Sequence, residues 1–248
     1  LPSQGDYFQA TRGIGHGDFR LLVLAPWSVQ EAADLVQDAF DLADFYRNPV
    51  MVLGDGLIGQ MMEPVEFRGD RQPIKTLAPK TWAATGCPGS RPTNIINSLF
   101  LDPEELERHN FKLKAKFDAM VRDEIRSSAY GTDGDYDLLI VAYGTVARVC
   151  STAIDELRGR GVRVAMVRPI TLFPFPYKAV REAALQASSV LVVELSTGQM
   201  IEDVQLALEG TRPIHFLCRV GGMLVSPDEV MEKVERVLAG GAAEVSHG

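Results

Sequence analysis

Asp137-Leu-Leu-Ile-Val-Ala-Tyr-Gly-Thr-Val-Ala-Arg-Val-Cys-Ser-Thr-Ala-Ile-Asp-Glu-Leu-Arg-Gly-Arg160 decides how the chain is read. Its first seven residues are the apolar run of a buried strand, and from Thr145 to Arg160 the apolar positions fall at helical spacing. The same order then recurs. Val162 to Val167, Val190 to Glu194 and Pro213 to Leu217 read as short strands, with helices at Tyr177 to Ser188, Met200 to Glu209 and Pro227 to Leu238. Strands that alternate with helices need crossover connections, so this unit, residues 135–240, is expected to be a mostly parallel sheet covered by helices on both faces. Residues 241–248 read as a tail.

Upstream, Gly131-Thr-Asp-Gly134 separates this unit from what precedes it. Residues 65–134 read as a connecting arm and helix. The arm loses periodicity and gains Pro73, Pro79, Pro88 and Pro92, which marks an extended connection. The helix is expected over Pro103 to Ala129, with Asp102 as cap, proline in the first turn and acidic residues at its start. Its balanced, interleaved charges suit a solvated helix crossing between domains. Residues 1–64 form the remaining unit. Arg20 to Ala25 and Val50 to Leu53 read as strands around a helix capped by Ser28, which is half of an α/β layer and too small to close a sheet by itself.

Composition narrows the function classes. The 248 residues are 46% hydrophobic and 23% charged, ordinary for a globular chain. A formal charge of −8 with no clustered Lys and Arg excludes a nucleic-acid surface. No apolar run reaches the length of a membrane span and the N-terminus lacks the pattern of a signal peptide, so the reading is cytoplasmic with no membrane partner. Cys87, Cys150 and Cys218 form no C-x-x-C pair; they read as buried or half-buried thiols, not as a disulfide framework or an iron–sulfur site.

Five runs carry a family resemblance in order along the chain: Leu1-Pro-Ser-Gln-Gly-Asp-Tyr-Phe-Gln9 with the glycine-rich stretch to Asp18, Phe40 to Met51, Gly54 to Pro64, Val167 to Pro176, and Val193-Glu-Leu-Ser-Thr-Gly-Gln-Met-Ile-Glu-Asp203. Together they resemble the alpha subunit of the 2-oxoacid:ferredoxin oxidoreductases, with the wording of the first run nearest the 2-oxoisovalerate type. The resemblance implies an incomplete thiamin-diphosphate pyrimidine-side domain followed by a transketolase C-terminal-like parallel α/β domain. The absence of an initiating Met fits a sequence that starts mid-protein, and the resemblance places the first half of the pyrimidine-side domain upstream of Leu1.

What the resemblance implies for chemistry is oxidative decarboxylation of a branched-chain 2-oxoacid to acyl-CoA with ferredoxin reduction. Thiamin diphosphate and Mg2+ would be shared with or held by a thiamin-diphosphate-binding beta subunit, and iron–sulfur clusters would sit on partners such as gamma and ferredoxin-like subunits. Coenzyme A and ferredoxin complete the partner set, and the open edges of a half-domain admit pairing with a second copy. The family's hydroxyl residue beside the oxoacid falls on Ser3; Gln4 and Asp6 are the other substrate-side candidates, able to order the loop. Arg12 reads as an ion pair with Asp6 or Asp18, or as a subunit-interface contact, because the family's substrate arginine lies upstream.

The glutamate that bonds the aminopyrimidine ring and promotes the C2 carbanion also lies upstream, and Glu31, Glu63 and Glu66 do not match its motif. No catalytic residue is therefore nominated, and the chain by itself is expected to be inactive. Gly54-Asp55-Gly56 imitates the Mg2+ signature of thiamin enzymes, but about two dozen residues further on stands Lys80-Thr-Trp-Ala-Ala84 with no Asn, so a strand-ending turn is the preferred reading and no metal site is assigned. Gly144-Thr145 reads as a helix start capped by Thr145, in preference to an anion site. Gly221-Gly222 reads as a turn. His16, His109 and His215 have no partner at metal-ligand spacing; His215 reads as core and His16 as peripheral. Ser28 and Ser151 sit in no nucleophile elbow.

Two other readings stay open. Residues 135–240 could be a non-catalytic assembly domain, or a free-standing anion- or nucleotide-binding module of flavodoxin-like shape. Within the family, a 2-oxoglutarate- or pyruvate-type enzyme is the alternative to the branched-chain type.

Overall fold

The structure is a computed structural model describing all residues except 14, 68, 70, 87, 88, 90 and 241–248. Cys87 and the expected tail at 241–248 thus lie outside the described residues. In chain order the elements are α1 (Tyr7–Arg12), β1 (Leu22–Leu24), α2 (Val29–Tyr46), β2 (Val50–Val52), a short 3-10 turn at Ile58–Gln60, α3 (Pro103–Asp123), β3 (Ser127–Tyr130), β4 (Leu138–Val141), α4 (Gly144–Gly159), β5 (Val164–Pro169), β6 (Thr171–Phe173), α5 (Tyr177–Ala184), β7 (Ser189–Glu194), α6 (Met200–Leu208), β8 (Ile214–Cys218) and α7 (Pro227–Leu238).

Five strands form the larger sheet in the order β3-β5-β4-β7-β8. The last four are mutually parallel, and β3 lies antiparallel on the edge beside β5. Alternation along β4 sorts the two faces. Leu138 and Ile140 pack with Cys150, Ile154 and Leu157 of α4 and Val230 and Val234 of α7. Leu139 and Val141 face the opposite way, toward Val180 and Ala184 of α5 and Val204 and Leu208 of α6. Such fully buried aliphatic side chains each stabilise the fold by about 1.5–3 kcal/mol.

The smaller sheet has the order β2-β1-β6. β1 and β2 are parallel, joined by α2, whose N-terminus Ser28 caps by accepting from the Glu31 N–H. Its third strand comes from far along the chain: Thr171–Phe173 runs antiparallel to β1, so one segment directly after β5 ties the two sheets together.

The structure corrects the sequence reading in four places. The opening stretch holds a helix, α1, where only a loop was expected. α3 stops at Asp123, and Ser127 to Ala129, which the sequence reading placed in the helix, belong with Tyr130 to β3 and pair with β5. Nor is α3 solvated all round: Phe117 and Met120 pack against Leu22, Leu24 and Leu42. β6 had no signal of its own, because three residues flanked by prolines show no periodicity.

Candidate functional site

Among parallel strands in the order β5-β4-β7-β8, the chain leaves β4 toward β5 on one side and continues on the other with β7. The crevice at the carboxyl ends of β4 and β7 is thus a topological switch point, where ligands bind in open α/β sheets. Here the crevice holds Gln4. Its backbone N–H donates to the Leu195 carbonyl at 3.0 Å and its Oε1 accepts from the Leu195 N–H at 2.9 Å. Its Nε2 donates to the Tyr143 carbonyl at 3.0 Å. With 5% of its surface exposed, Gln4 pairs the Leu195 N–H beyond the end of β7 and adds a second donor to the Tyr143 carbonyl beyond the end of β4, which also accepts from the Ala147 N–H.

The rest of the opening segment is held from the same side. The Glu194 carboxylate, fully buried at the end of β7, accepts from the Ser196 hydroxyl at 2.7 Å and from the backbone N–H groups of Gln199, Met200 and Ile201, which caps α6 and fixes the loop before it. From that loop Gln199 reaches back. Its Nε2 donates to the Gly5 carbonyl at 2.8 Å and its Oε1 accepts from the Phe8 N–H at 2.8 Å. In the first turn of α6, Asp203, 1% exposed, accepts from the Tyr7 hydroxyl at 2.6 Å and from Tyr177, and pairs with Arg12 at 3.1 Å. Arg12 therefore bonds Asp203, not Asp6 or Asp18. Burial, with Asp203 adjacent, pushes the Tyr7 phenol well above its ordinary pKa, and the same causes push Tyr177 up to about 12.

The Gly54-Asp55-Gly56 turn closes the other side. Asp55 Oδ1 accepts from the N–H groups of Leu57 and Ile58 at 2.9 and 3.1 Å, and Oδ2 accepts from the Thr145 N–H at 3.3 Å. Asp55, not Thr145, thereby serves the start of α4; the Thr145 hydroxyl is buried with no hydrogen-bond partner. Both oxygens of Asp55 are engaged by backbone donors, and no group of three or more His, Cys, Asp or Glu among the described residues is arranged to hold a metal. The residues present do not fit a Mg2+ site. Gly56 has its own reason: a Cβ there would lie 2.6 Å from the Leu1 carbonyl oxygen, so only glycine lets the opening backbone pass.

Ser3, Gln4 and Asp6 are brought together with Leu53, Gly54, Asp55, Tyr143 and Gly144 around a small cleft of about 20 Å³. Gln4 is spent on the strand ends. Ser3 and Asp6 are exposed; the Ser3 hydroxyl accepts from the Gly5 N–H at 3.2 Å, and the Asp6 side chain makes no cap to α1. Burial, with Glu194, Asp55 and Asp6 nearby, pushes the Tyr143 phenol well up. A groove of about 700 Å³ lies elsewhere along α3 and is lined by none of the three.

His215 is buried in β8, His16 is exposed, and His109 stacks on Phe100 at 4.6 Å. Cys150 is buried and Cys218 half-buried. Gly221 and Gly222 take positive φ in a turn. The sequence reading passed over Glu194, Gln199 and Asp203 as site residues. Their signal was the density of polar groups directly after a strand buried on both faces, where solvated side chains have no other reason to gather.

Two family models match the chain: "Pyruvate flavodoxin/ferredoxin oxidoreductase, thiamine diP-bdg" over residues 1–122, and "Pyruvate:ferredoxin oxidoreductase core domain II" over residues 136–230. The ketoisovalerate oxidoreductase subunit VorB of Methanothermobacter marburgensis is 42% identical over 95% of this chain and 66% of its own length. The 2-oxoglutarate synthase subunit KorA of Methanothermobacter thermautotrophicus is 31% identical over 94% of this chain and 68% of its own. The chain thus spans about two thirds of these relatives. A solved structure, the 2-oxoglutarate:ferredoxin oxidoreductase from Magnetococcus marinus, shares the fold at TM-score 0.79 and 22% identity, covering 94% of this chain and 45% of that one. No helix among the described residues is long and apolar enough to cross a membrane. Identity on this scale over 94–95% of the chain, together with the two family models, means that the chain belongs to the 2-oxoacid:ferredoxin oxidoreductase family.

Proposed function

We propose that this chain is the part of an alpha-type subunit that presents the opening segment, with Ser3 and Asp6, to a 2-oxoacid in an enzyme that decarboxylates it oxidatively to acyl-CoA. Ferredoxin would take the electrons and coenzyme A the acyl group. The observation that carries the reading is the fate of the switch-point crevice. Gln4 fills it and turns its neighbours Ser3 and Asp6 outward, so the sheet serves as a mount for the loop and not as a nucleotide site. Gln4 orders the loop, Ser3 offers a hydroxyl to the oxoacid's carboxylate or carbonyl, and Asp6 borders the same cleft.

Residues 1–64, 65–134 and 135–240 act in this reading as a pyrimidine-side half-domain, an arm and a mounting domain. Thiamin diphosphate and Mg2+ belong to a partner beta subunit or to its boundary with this chain, since Asp55 is committed to backbone donors. Iron–sulfur clusters belong to partner subunits. The greater identity to the ketoisovalerate subunit than to the 2-oxoglutarate subunit favours a branched 2-oxoacid.

The test is viologen reduction dependent on 2-oxoacid and coenzyme A, measured on the full-length subunit purified with its native partners. Fastest turnover with 2-oxoisovalerate is expected. A preference for 2-oxoglutarate or pyruvate moves the substrate and keeps the reaction; no turnover with any oxoacid, with thiamin diphosphate and clusters in place, overturns the reading.

A further inference from the structure

We infer that Gln199 is a positioning residue for the 2-oxoacid, acting through the backbone of the opening segment; this rests on the reading above that Ser3 and Asp6 face the substrate. The Gln199 side chain hydrogen-bonds to neither of them. Its amide instead brackets them, donating to the Gly5 carbonyl and accepting from the Phe8 N–H, so that Asp6 lies between its two points of attachment and Ser3 is bonded to the first of them through the Gly5 N–H. A side-chain amide carries a donor and an acceptor on one planar group, and so serves a carbonyl and an N–H together. The loop that carries Gln199 is itself fixed from beneath by the buried Glu194, so the amide has a rigid base. Further along, Asp203 anchors Tyr7 and Arg12 and keeps α1 docked whether or not Gln199 is present. Loss of the Gln199 amide therefore loosens residues 3–6 while α1, which begins at Tyr7, stays in place.

That division makes the role separable from stability. In the full-length subunit assembled with its native partners, Gln199→Leu is expected to raise the KM for the 2-oxoacid or lower kcat/KM by roughly tenfold to a hundredfold, the scale on which misplacement by about an ångström acts. The KM for coenzyme A should not move. Gln199→Glu keeps the acceptor for Phe8 and loses the donor to Gly5, so an intermediate effect is expected, and this variant decides by the same criteria if Gln199→Leu does not assemble. Unchanged oxoacid parameters in both variants, or a uniform fall in all parameters that tracks a lowered melting temperature, overturn the inference. Ser3→Ala separates the two levels. An unchanged oxoacid KM in Ser3→Ala overturns the substrate-side reading and this inference with it, whereas a responsive Ser3→Ala beside unresponsive Gln199 variants overturns the inference alone.

Discussion

Gln4 and Leu195 exchange two hydrogen bonds, the Gln4 N–H to the Leu195 carbonyl at 3.0 Å and the Leu195 N–H to Gln4 Oε1 at 2.9 Å, as neighbouring strands do, although 191 residues separate them. A side-chain amide completes a backbone ladder at the place where an open α/β sheet ordinarily takes a ligand. Gln4→Leu has nearly the same volume, leaves the Leu195 N–H buried without a partner and leaves the Tyr143 carbonyl only the longer bond from the Ala147 N–H at 3.3 Å. We expect a loss of about 2–4 kcal/mol in unfolding free energy by urea titration. Destabilisation below about 0.5 kcal/mol would show that water replaces the amide without penalty.

Asp55 is expected to behave as a cap and not as a metal ligand. Asp55→Ala should cost about 1–2 kcal/mol, and Asp55→Asn less, because its carbonyl oxygen still accepts from Leu57 and Ile58. Millimolar Mg2+ should leave the melting temperature of each protein where it was. A Mg2+-dependent rise in the parent that Asp55→Ala abolishes would identify a cation site instead.

Gly56→Ala is expected to displace the opening segment, since the new methyl meets backbone, which cannot rotate away. The cost of such overpacking is about 1–3 kcal/mol. Hydrogen exchange at residues 2–10 is the sensitive readout: faster exchange there, with β4 and β7 unchanged, is the expected result, and an unchanged pattern would refute the close approach.

The phenols on Asp203 make the fold sensitive to alkali. Tyr177 titrates at about 12 in the folded chain against about 10 when unfolded, so its contribution is complete below about pH 10 and is lost as pH rises toward 12. Tyr7 shifts in the same direction and adds to the slope. Unfolding free energy should therefore fall across that window, and Tyr177→Phe should flatten the fall. An equal slope in the variant would place the proton release elsewhere.

Arg168 of β5 and Glu31 of α2 join the larger sheet to the helix that links β1 and β2, through a bidentate pair at 2.8 Å, with Arg168 also lying over the Trp27 ring at 4.5 Å. Glu31→Ala leaves a guanidinium buried without its carboxylate and should cost about 3 kcal/mol. Arg168→Met with Glu31→Leu should recover much of that loss. Failure of the double variant to recover would mean that the stacked arginine itself, and not the charge balance, holds the joint.

What the sequence by itself determined is what depends on neighbours a few residues away. The four parallel strands, the caps at Ser28 and Asp102, and the run of helices from α4 to α7 follow from local hydrophobic period and from side chains that bond the nearest free N–H groups. The quoted family runs are legible for the same reason, as strings of residue types. Ser3, Gln4 and Asp6 could be picked out as candidates, yet nothing in their spacing distinguishes the two that face solvent from the one that is buried. Only the tertiary structure decided that, by setting Gln4 between Tyr143 and Leu195, just beyond the ends of β4 and β7. It likewise gave β1 a partner at Thr171–Phe173, gave Arg12 to Asp203 and turned Asp55 into the cap of α4. Each of these is a contact across a large sequence separation. Its energy comes from satisfying a polar group, or a strand edge, that burial by the rest of the fold has first cut off from water, and no local pattern records that burial.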